Sequence, residues 1–157
     1  MLEQISGYFT NETIYIWLNI GVIPFWLILI FFPNSKLGNI FVSSIFPVFI
    51  FAAVYIYLFY KFYLLGYDFF NNFTLYLGLE RIKDLFSNEE FLLIFWIHFL
   101  AINLFCGSWL SRDANKLQMS KFLVLIPLII TYFIGPFGIF LYWIIRIFFA
   151  KKLTLYD

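Results

Sequence analysis

The feature that most constrains this chain is a set of four long runs without a single Lys, Arg, Asp or Glu. These runs cover residues 13–35, 37–60, 91–111 and 122–145. Each is longer than the roughly 20 residues that an α-helix needs to cross a hydrocarbon core of ~30 Å. Transmembrane β-strands alternate apolar and polar side chains, whereas these runs are apolar on every side. The pattern predicts an all-α integral membrane protein with four transmembrane helices.

We place the four spans at about residues 13–32, 40–64, 90–110 and 121–147, within one domain that comprises residues 1–157. Composition agrees, because only 12% of the residues are charged, against roughly 25% in a soluble domain. The number of Lys and Arg residues on the two sides of these spans favours a cytoplasmic N-terminus. Their density in the short loops favours the opposite orientation. The orientation therefore stays open.

Composition also excludes several classes of function. A formal net charge of +1 gives no basic surface for nucleic acid. One histidine and one cysteine cannot build a histidine- or thiolate-based metal site, so we predict no metal and no cofactor. Aromatic residues make up 25% of the chain and allow two interpretations, a ring-lined cavity for a polyene, sterol or quinone and generic lipid-facing bulk. Their spread over all spans favours the second.

Proline and glycine mark two interruptions. Pro24 lies inside the first span and predicts a kink, and Pro33-Asn34 predicts the end of that span. Residues 135–138, Gly-Pro-Phe-Gly, predict a local break in the fourth span. The carbonyl groups that such a break frees can line a cavity, and a packing kink is the alternative.

Residues 65–90 form the one long polar interval. Between Leu77 and Phe86, apolar and charged side chains alternate at helical spacing, which predicts a short amphipathic helix on the membrane surface between spans two and three. A solvated loop is the alternative. Residues 87–90, Ser-Asn-Glu-Glu, predict an N-cap followed by acidic residues in the first turn of span three.

Span three carries most of the polar side chains that lie at membrane depth. His98, Trp109 and Arg112 fall on one face of an ideal helix, and Asn103 and Gly107 fall roughly opposite. An unpaired amide or imidazole in hydrocarbon costs several kcal/mol. We therefore expect protein to cover both faces.

The ionisable side chains of spans three and four have different expected roles. Histidine ordinarily titrates near neutral pH, so His98 is a candidate acid or base, and an interhelical hydrogen bond of ~0.6 kcal/mol is the alternative. Arg112 and Asp113 are expected to form an ion pair at the helix end. Arg146 follows Trp143 by about one turn and is expected to extend to the lipid headgroups.

These positions resemble a known family of small membrane proteins, named for abscisic acid deficiency, which includes plant neoxanthin synthase and bacterial members. The resemblance rests on Trp96, His98, Ala101, Asn103, Leu104, Phe105, Gly107, Trp109, Arg112 and Asp113, then on Pro127, Thr131, Gly135, Pro136, Gly138 and residues 142–146, with Asn19, Pro24-Phe25-Trp26 and Pro33 upstream. It covers nearly the whole chain. It implies the same four-span layout and a bacterial inner membrane or a plastid membrane as the location.

The resemblance also implies roles for individual residues. The plant members are linked to the conversion of violaxanthin to neoxanthin, in which an epoxide opens while an adjacent polyene carbon loses a proton. His98 and Asp113 are then candidate catalytic groups, and the ligand-binding candidates are Trp96, Asn103, Trp109, Arg112 and Arg146. Pro24, Gly107, Gly135, Pro136 and Gly138 are candidate structural residues. The family usually has Asp at position 103, and the amide of Asn103 cannot exchange a proton as a carboxyl group can.

Three classes of function follow from this reading. The first is a carotenoid epoxide isomerase, and the second is a protein that binds a carotenoid, another isoprenoid lipid or a partner membrane protein without chemistry. A small transporter has less support, because no span carries a line of ionisable groups and no repeat relates the two halves. The expected partners are membrane lipid, a hydrophobic ligand and another copy of the chain or a different membrane protein.

Overall fold

All regular structure in the described part of the chain is helical. The computed structural model describes residues 9–32, 35–42 and 44–150. The helices are α1 (Asn11–Phe31), α2 (Lys36–Phe41), α3 (Phe46–Leu64), a 3₁₀ helix (Phe69–Leu77), α4 (Leu79–Phe86), α5 (Glu89–Lys116), α6 (Lys121–Phe133) and α7 (Gly135–Ala150). The prediction of an all-α fold is confirmed.

The prediction of four spanning helices is wrong, because only α1, α3 and α5 among the described helices are long and apolar enough to cross a membrane. The predicted fourth span, residues 121–147, is divided into α6 with 13 residues and α7 with 16. At 1.5 Å per residue these helices measure about 20 and 24 Å, short of the ~30 Å hydrocarbon core. The division occurs at Ile134, whose φ of −138° and ψ of 75° are not helical.

The second span also begins later than predicted. Ile40 belongs to α2, which ends at Phe41, and α3 starts at Phe46 instead of at residue 40. Between them the hydroxyl of Ser44 donates to the carbonyl of Ile40 and accepts from the N–H of Phe46 at 3.1 Å, so it satisfies backbone groups at both helix ends. Pro47 lies in the first turn of α3, where the N–H that it lacks would have no helical partner.

The first span and the start of the third agree with the sequence. α1 runs without interruption through Pro24; the predicted stop at Pro33-Asn34 lies outside the described residues. α5 begins at Glu89, and the Asn88 side-chain oxygen accepts from the N–H of Phe91 at 2.8 Å. Glu89 and Glu90 occupy the first turn, where the helix dipole favours acids. The predicted N-cap is confirmed.

The short helix in the polar interval is confirmed as α4. Leu85 is its one buried residue, and its charged side chains form two exposed pairs, Lys83 with Glu80 at 3.3 Å and Arg81 with Asp84 at 4.0 Å. The 3₁₀ helix that precedes α4 was not predicted. Asp68 is its N-cap, and the Asp68 carboxylate accepts from the N–H of Phe70 at 2.9 Å.

The chain forms two compact units. The first comprises Met1–Gly21 and Phe49–Leu100, and the second comprises Val22–Val48 and Ala101–Asp157. Leu58, Phe62 and Ile97 are fully buried in the first unit. In the second unit the fully buried side chains include Val22, Leu29, Leu104, Leu110, Thr131, Tyr142 and Arg146.

In the second unit α6 and α7 fold back against each other. A side chain at Gly138 would place its Cβ 2.7 Å from the carbonyl oxygen of Pro127, and it would also collide with Thr131. In one continuous helix, Gly138 and Pro127 would be about 16 Å apart along the axis. The two helices therefore form a tight hairpin with Ile134 at its turn, and the absence of a side chain at Gly138 permits their close approach.

The turn of this hairpin lies beside the middle of α5. Asn103 is the fifteenth of the 28 residues of α5, and it contacts Tyr132 and Gly135 on either side of the turn. From there α7 returns along α5 until Arg146 meets Asp113. A hairpin that enters and leaves on one side is tolerated at membrane depth when protein covers its turn.

This arrangement predicts a topology that differs from four spans. Because the hairpin begins and ends on the side where α5 ends, we expect Lys116 and Ala150 to face the same side of the membrane. Single cysteines at these positions, in a Cys106→Ser background, should react equally with a membrane-impermeant maleimide in oriented vesicles. A cysteine at Thr10 should be protected in those vesicles, since three crossings separate it from Lys116.

A four-span layout makes the opposite prediction. In that layout Ala150→Cys would label together with Thr10→Cys and apart from Lys116→Cys. Permeabilised vesicles provide the control, because all three cysteines should then react.

Candidate functional site

Two polar side chains of α7 converge on the carboxylate of Asp113 in the second unit. Its Oδ2 accepts from the hydroxyl of Tyr142 at 2.5 Å and from Nε of Arg146 at 2.6 Å, and its Oδ1 accepts from Nη2 of Arg146 at 3.3 Å. The side chain of Arg146 is 1% exposed and that of Asp113 is 12% exposed. The two residues form a buried ion pair with two contacts, which Tyr142 extends.

The positions of the two donors on α7 explain this convergence. Tyr142 and Arg146 are four residues apart, so they lie one above the other on the same helix face. That face is the buried one, since Gly135 and Gly138 lie on α7 among its buried residues as well. A buried charge that loses its partner costs about 3–5 kcal/mol, so the pair strongly favours this placement of α7.

Aromatic rings surround the ion pair. Trp109 precedes Asp113 by one turn of α5 and meets the Tyr142 ring edge-on at 5.8 Å. The rings of Trp109 and Trp143 lie 6.4 Å apart with an angle of 22° between their planes, and the Arg146 guanidinium is 4.9 Å from the Trp143 ring centre. We call Trp109 and Trp143 the indole pair. Both are half-buried, so part of each ring remains accessible.

Asn103 has a separate role at the turn of the hairpin. It is 4% exposed, and its Nδ2 donates to the carbonyl oxygen of Tyr132 at 3.5 Å. The last carbonyls of α6 have no helical partner, and within hydrocarbon no water would replace one. The N–H of Ile134 satisfies the Ile130 carbonyl at 2.7 Å, and the amide of Asn103 supplies the donor for Tyr132. An ionised carboxylate at this position would have no proton to donate.

Two predicted structural glycines lie where neighbouring side chains leave no space for a Cβ. A Cβ at Gly135 would collide with the side-chain oxygen of Asn103, and one at Gly107 would lie 2.6 Å from the ring of Trp26. Trp26 in turn contacts Tyr132 edge-on, with 5.3 Å between ring centres. Pro136 lies in the first turn of α7, where its missing N–H leaves fewer donors unsatisfied.

The structure does not bring the two catalytic candidates together. His98 is exposed and belongs to the first unit, whereas Asp113 belongs to the second. No hydrogen bond or ion pair of His98 occurs within the described ranges. The Asn103 face of α5 is covered as expected, but the His98 face is exposed.

The remaining ligand-binding candidates are dispersed. Trp96 lies in the first unit, where its Nε1 donates to the side-chain oxygen of Asn19 at 3.3 Å. Arg112 is exposed and takes part in none of the ion pairs of residues 9–32, 35–42 and 44–150. The expected pair of Arg112 with Asp113 is wrong, since Arg146 is the partner of Asp113.

The position of Arg146 differs from the prediction, and Tyr142 and Trp143 belong to the site although they were not predicted as site residues. We expected Arg146 to extend to the headgroups, but its guanidinium is buried against Asp113. The spacing of Tyr142 and Arg146 was visible in the sequence. Residues four apart are neighbours on one face of a helix, so the sequence already indicated that Tyr142 lies beside Arg146.

The buried ion pair generates a prediction about stability. Arg146→Met should lower the free energy of unfolding by about 3–5 kcal/mol, because it leaves the Asp113 carboxylate buried without its partner. The double variant Asp113→Leu with Arg146→Met should recover much of this loss. Thermal or denaturant unfolding in mild detergent measures both. Arg81→Met removes an exposed pair and should change stability by less than ~1 kcal/mol; an equal effect of Arg81→Met and Arg146→Met would contradict the role of the pair.

The turn of the hairpin generates a second prediction. Asn103→Asp should destabilise the protein at neutral pH by about 1–3 kcal/mol, because the Tyr132 carbonyl loses its donor. The protonated acid can donate again, so the loss should shrink as the pH falls. Unfolding measured at several pH values tests this. Asn115→Asp is the matched control, since Asn115 is exposed on the same helix; a loss at position 103 that does not change with pH would contradict the hydrogen bond.

Comparison with known proteins agrees with the resemblance seen in the sequence. The family model described as ABA DEFICIENT 4-like matches residues 13–142. The match contains Asn103, Asp113 and Tyr142 and ends before Arg146. No curated protein and no solved structure matches the chain. Since the family match spans most of its 157 residues, this chain belongs to the ABA DEFICIENT 4-like family.

Proposed function

We propose that this protein binds a carotenoid or another isoprenoid lipid within the bilayer, and that the ligand stacks on the indole pair of Trp109 and Trp143. The observation that carries the proposal is the half-exposed indole pair over a buried ion pair. The family resemblance supports the choice of ligand class, because the plant members are linked to carotenoid conversion.

The indole pair suits a flat, conjugated ligand. Trp143 is restrained by the Arg146 guanidinium at 4.9 Å, and Trp109 is restrained by the edge of Tyr142. Rings that are already ordered lose little side-chain entropy when a ligand stacks on them. Tryptophan also suits the level where hydrocarbon meets headgroups, and xanthophylls carry their polar rings at the ends of the polyene.

The same geometry favours binding over catalysis. Opening an epoxide while removing a proton requires an acid and a base within hydrogen-bonding reach of one substrate. Both oxygens of Asp113 already accept hydrogen bonds from Arg146 and Tyr142, and His98 lies in the other unit. Asn103 cannot exchange a proton. A carotenoid epoxide isomerase is the alternative, and it rests on the family resemblance.

Substitution of the indole pair tests the proposal. Purified protein in mild detergent should bind violaxanthin, seen as a shift in the pigment's absorption and an induced circular dichroism signal. Trp109→Leu and Trp143→Leu should each weaken binding by roughly threefold to tenfold, the range expected for one aromatic contact. Trp17→Leu is the matched control, because Trp17 is an exposed tryptophan of the first unit.

Chromatography of the bound pigment separates binding from catalysis. Recovery of unchanged violaxanthin supports a binding protein, whereas an allenic product would identify an isomerase instead. Equal losses in Trp17→Leu and Trp143→Leu, or no pigment binding by the wild-type protein, would contradict a site at the indole pair.

A further inference from the structure

The first unit contains a cavity that the proposed function does not use. Its volume is about 450 Å³, within the range of roughly 300–1,000 Å³ that is typical of small-molecule pockets. It lies between the first turns of α1 and of α5, and its lining includes Glu12, Tyr15, Glu89, Leu92, Leu93 and Trp96.

The wall of the cavity is apolar and aromatic. Leu93 is buried and Leu92 is exposed. The rings of Tyr15 and Trp96 lie 5.7 Å apart at an angle of 44°. Trp96 is held in place by its hydrogen bond to Asn19, at 3.3 Å, and by stacking on Phe99 with 5.3 Å between ring centres. Such a wall accommodates hydrocarbon, and aromatic rings of this kind can also stabilise a cation.

The lining of the cavity also includes two acidic residues. Glu12 and Glu89 both line it, and neither takes part in an ion pair within the described part of the chain. A third lining residue, Asn11, accepts a hydrogen bond from the ammonium of Lys61 at 2.8 Å, and that ammonium also donates to the Phe9 carbonyl at 2.9 Å. The donors of Lys61 are thus directed to neutral oxygens. The Lys61 ammonium also attracts Glu89 and Glu90 electrostatically, so one cation stands against the carboxylates of Glu12, Glu89 and Glu90, and a second cation is needed to balance them.

We propose that this cavity binds an amine-bearing lipid of the bilayer. Its ammonium group lies between Glu12 and Glu89 against the rings of Tyr15 and Trp96, and its hydrocarbon follows Leu92 and Leu93. Charge complementarity determines the occupant. A carboxylate pair repels an anionic headgroup and attracts an ammonium, and aromatic faces stabilise the same cation. The site shares no residue with the indole pair, so each proposal can fail without the other.

Competition between two lipids with identical acyl chains tests the proposal. The full-length protein is equilibrated in mixed micelles with phosphatidylethanolamine and phosphatidylglycerol, and retained lipid is identified by native mass spectrometry. Wild-type protein should retain phosphatidylethanolamine preferentially. The double variant Glu12→Gln with Glu89→Gln should reduce that preference by roughly twofold to fivefold for each carboxylate.

Two further variants make the result specific. Glu80→Gln removes an exposed carboxylate of α4, in the same unit, and should leave the preference unchanged. Leu92→Trp fills the cavity from an exposed position and should lower retention of both lipids. Equal retention of the two lipids by the wild-type protein would overturn the proposal, as would an unchanged preference in the double glutamine variant or unchanged retention in Leu92→Trp.

Discussion

The second unit depends on one interaction, the pairing of Asp113 with Arg146. The pair sets the register of α7 along α5, because a buried carboxylate cannot be left without its partner. A second contact lies one half-helix away, where Gly135 meets Asn103. Ten residues separate the two contacts on α5 and eleven separate them on α7, about 15 and 17 Å along the respective axes. The two contacts are therefore compatible with helices that run side by side, and together they position the turn of the hairpin.

A hairpin inside a membrane must solve a problem that a continuous span avoids. Its turn exposes backbone groups at a depth where water does not satisfy them. Here the Ile134 N–H takes one carbonyl, the amide of Asn103 takes another, and Pro136 removes one donor. These contacts give the amide of Asn103 a structural role at the turn. The amide donates a hydrogen bond that an ionised acid cannot make.

Hydropathy predicted the existence of α1, α3 and α5, since a long uncharged run forms most of each helix. It failed for residues 121–147, because a reversed pair of short helices is as apolar as one span. The Gly135-Pro136 break was visible, but the reversal depends on the contact of Gly138 with Pro127, which no local pattern reveals. The partner of Asp113 was missed for the same reason. Arg112 is adjacent in sequence, whereas Arg146 is 33 residues away and becomes a neighbour only through the hairpin.

The use of charge differs between the two units, and that difference bears on function. In the second unit the carboxylate of Asp113 is enclosed by its own donors, so its charge stabilises structure and leaves the indole pair as the accessible chemical feature. In the first unit Glu12 and Glu89 line an apolar cavity, and neither forms a salt bridge among the described residues. Both lie in first turns, where helix dipoles favour acids without any ligand. The dipole accounts for two acids at helix starts, but it does not account for an aromatic cavity beside them, and the cavity is what makes a lipid amine the natural counter-ion.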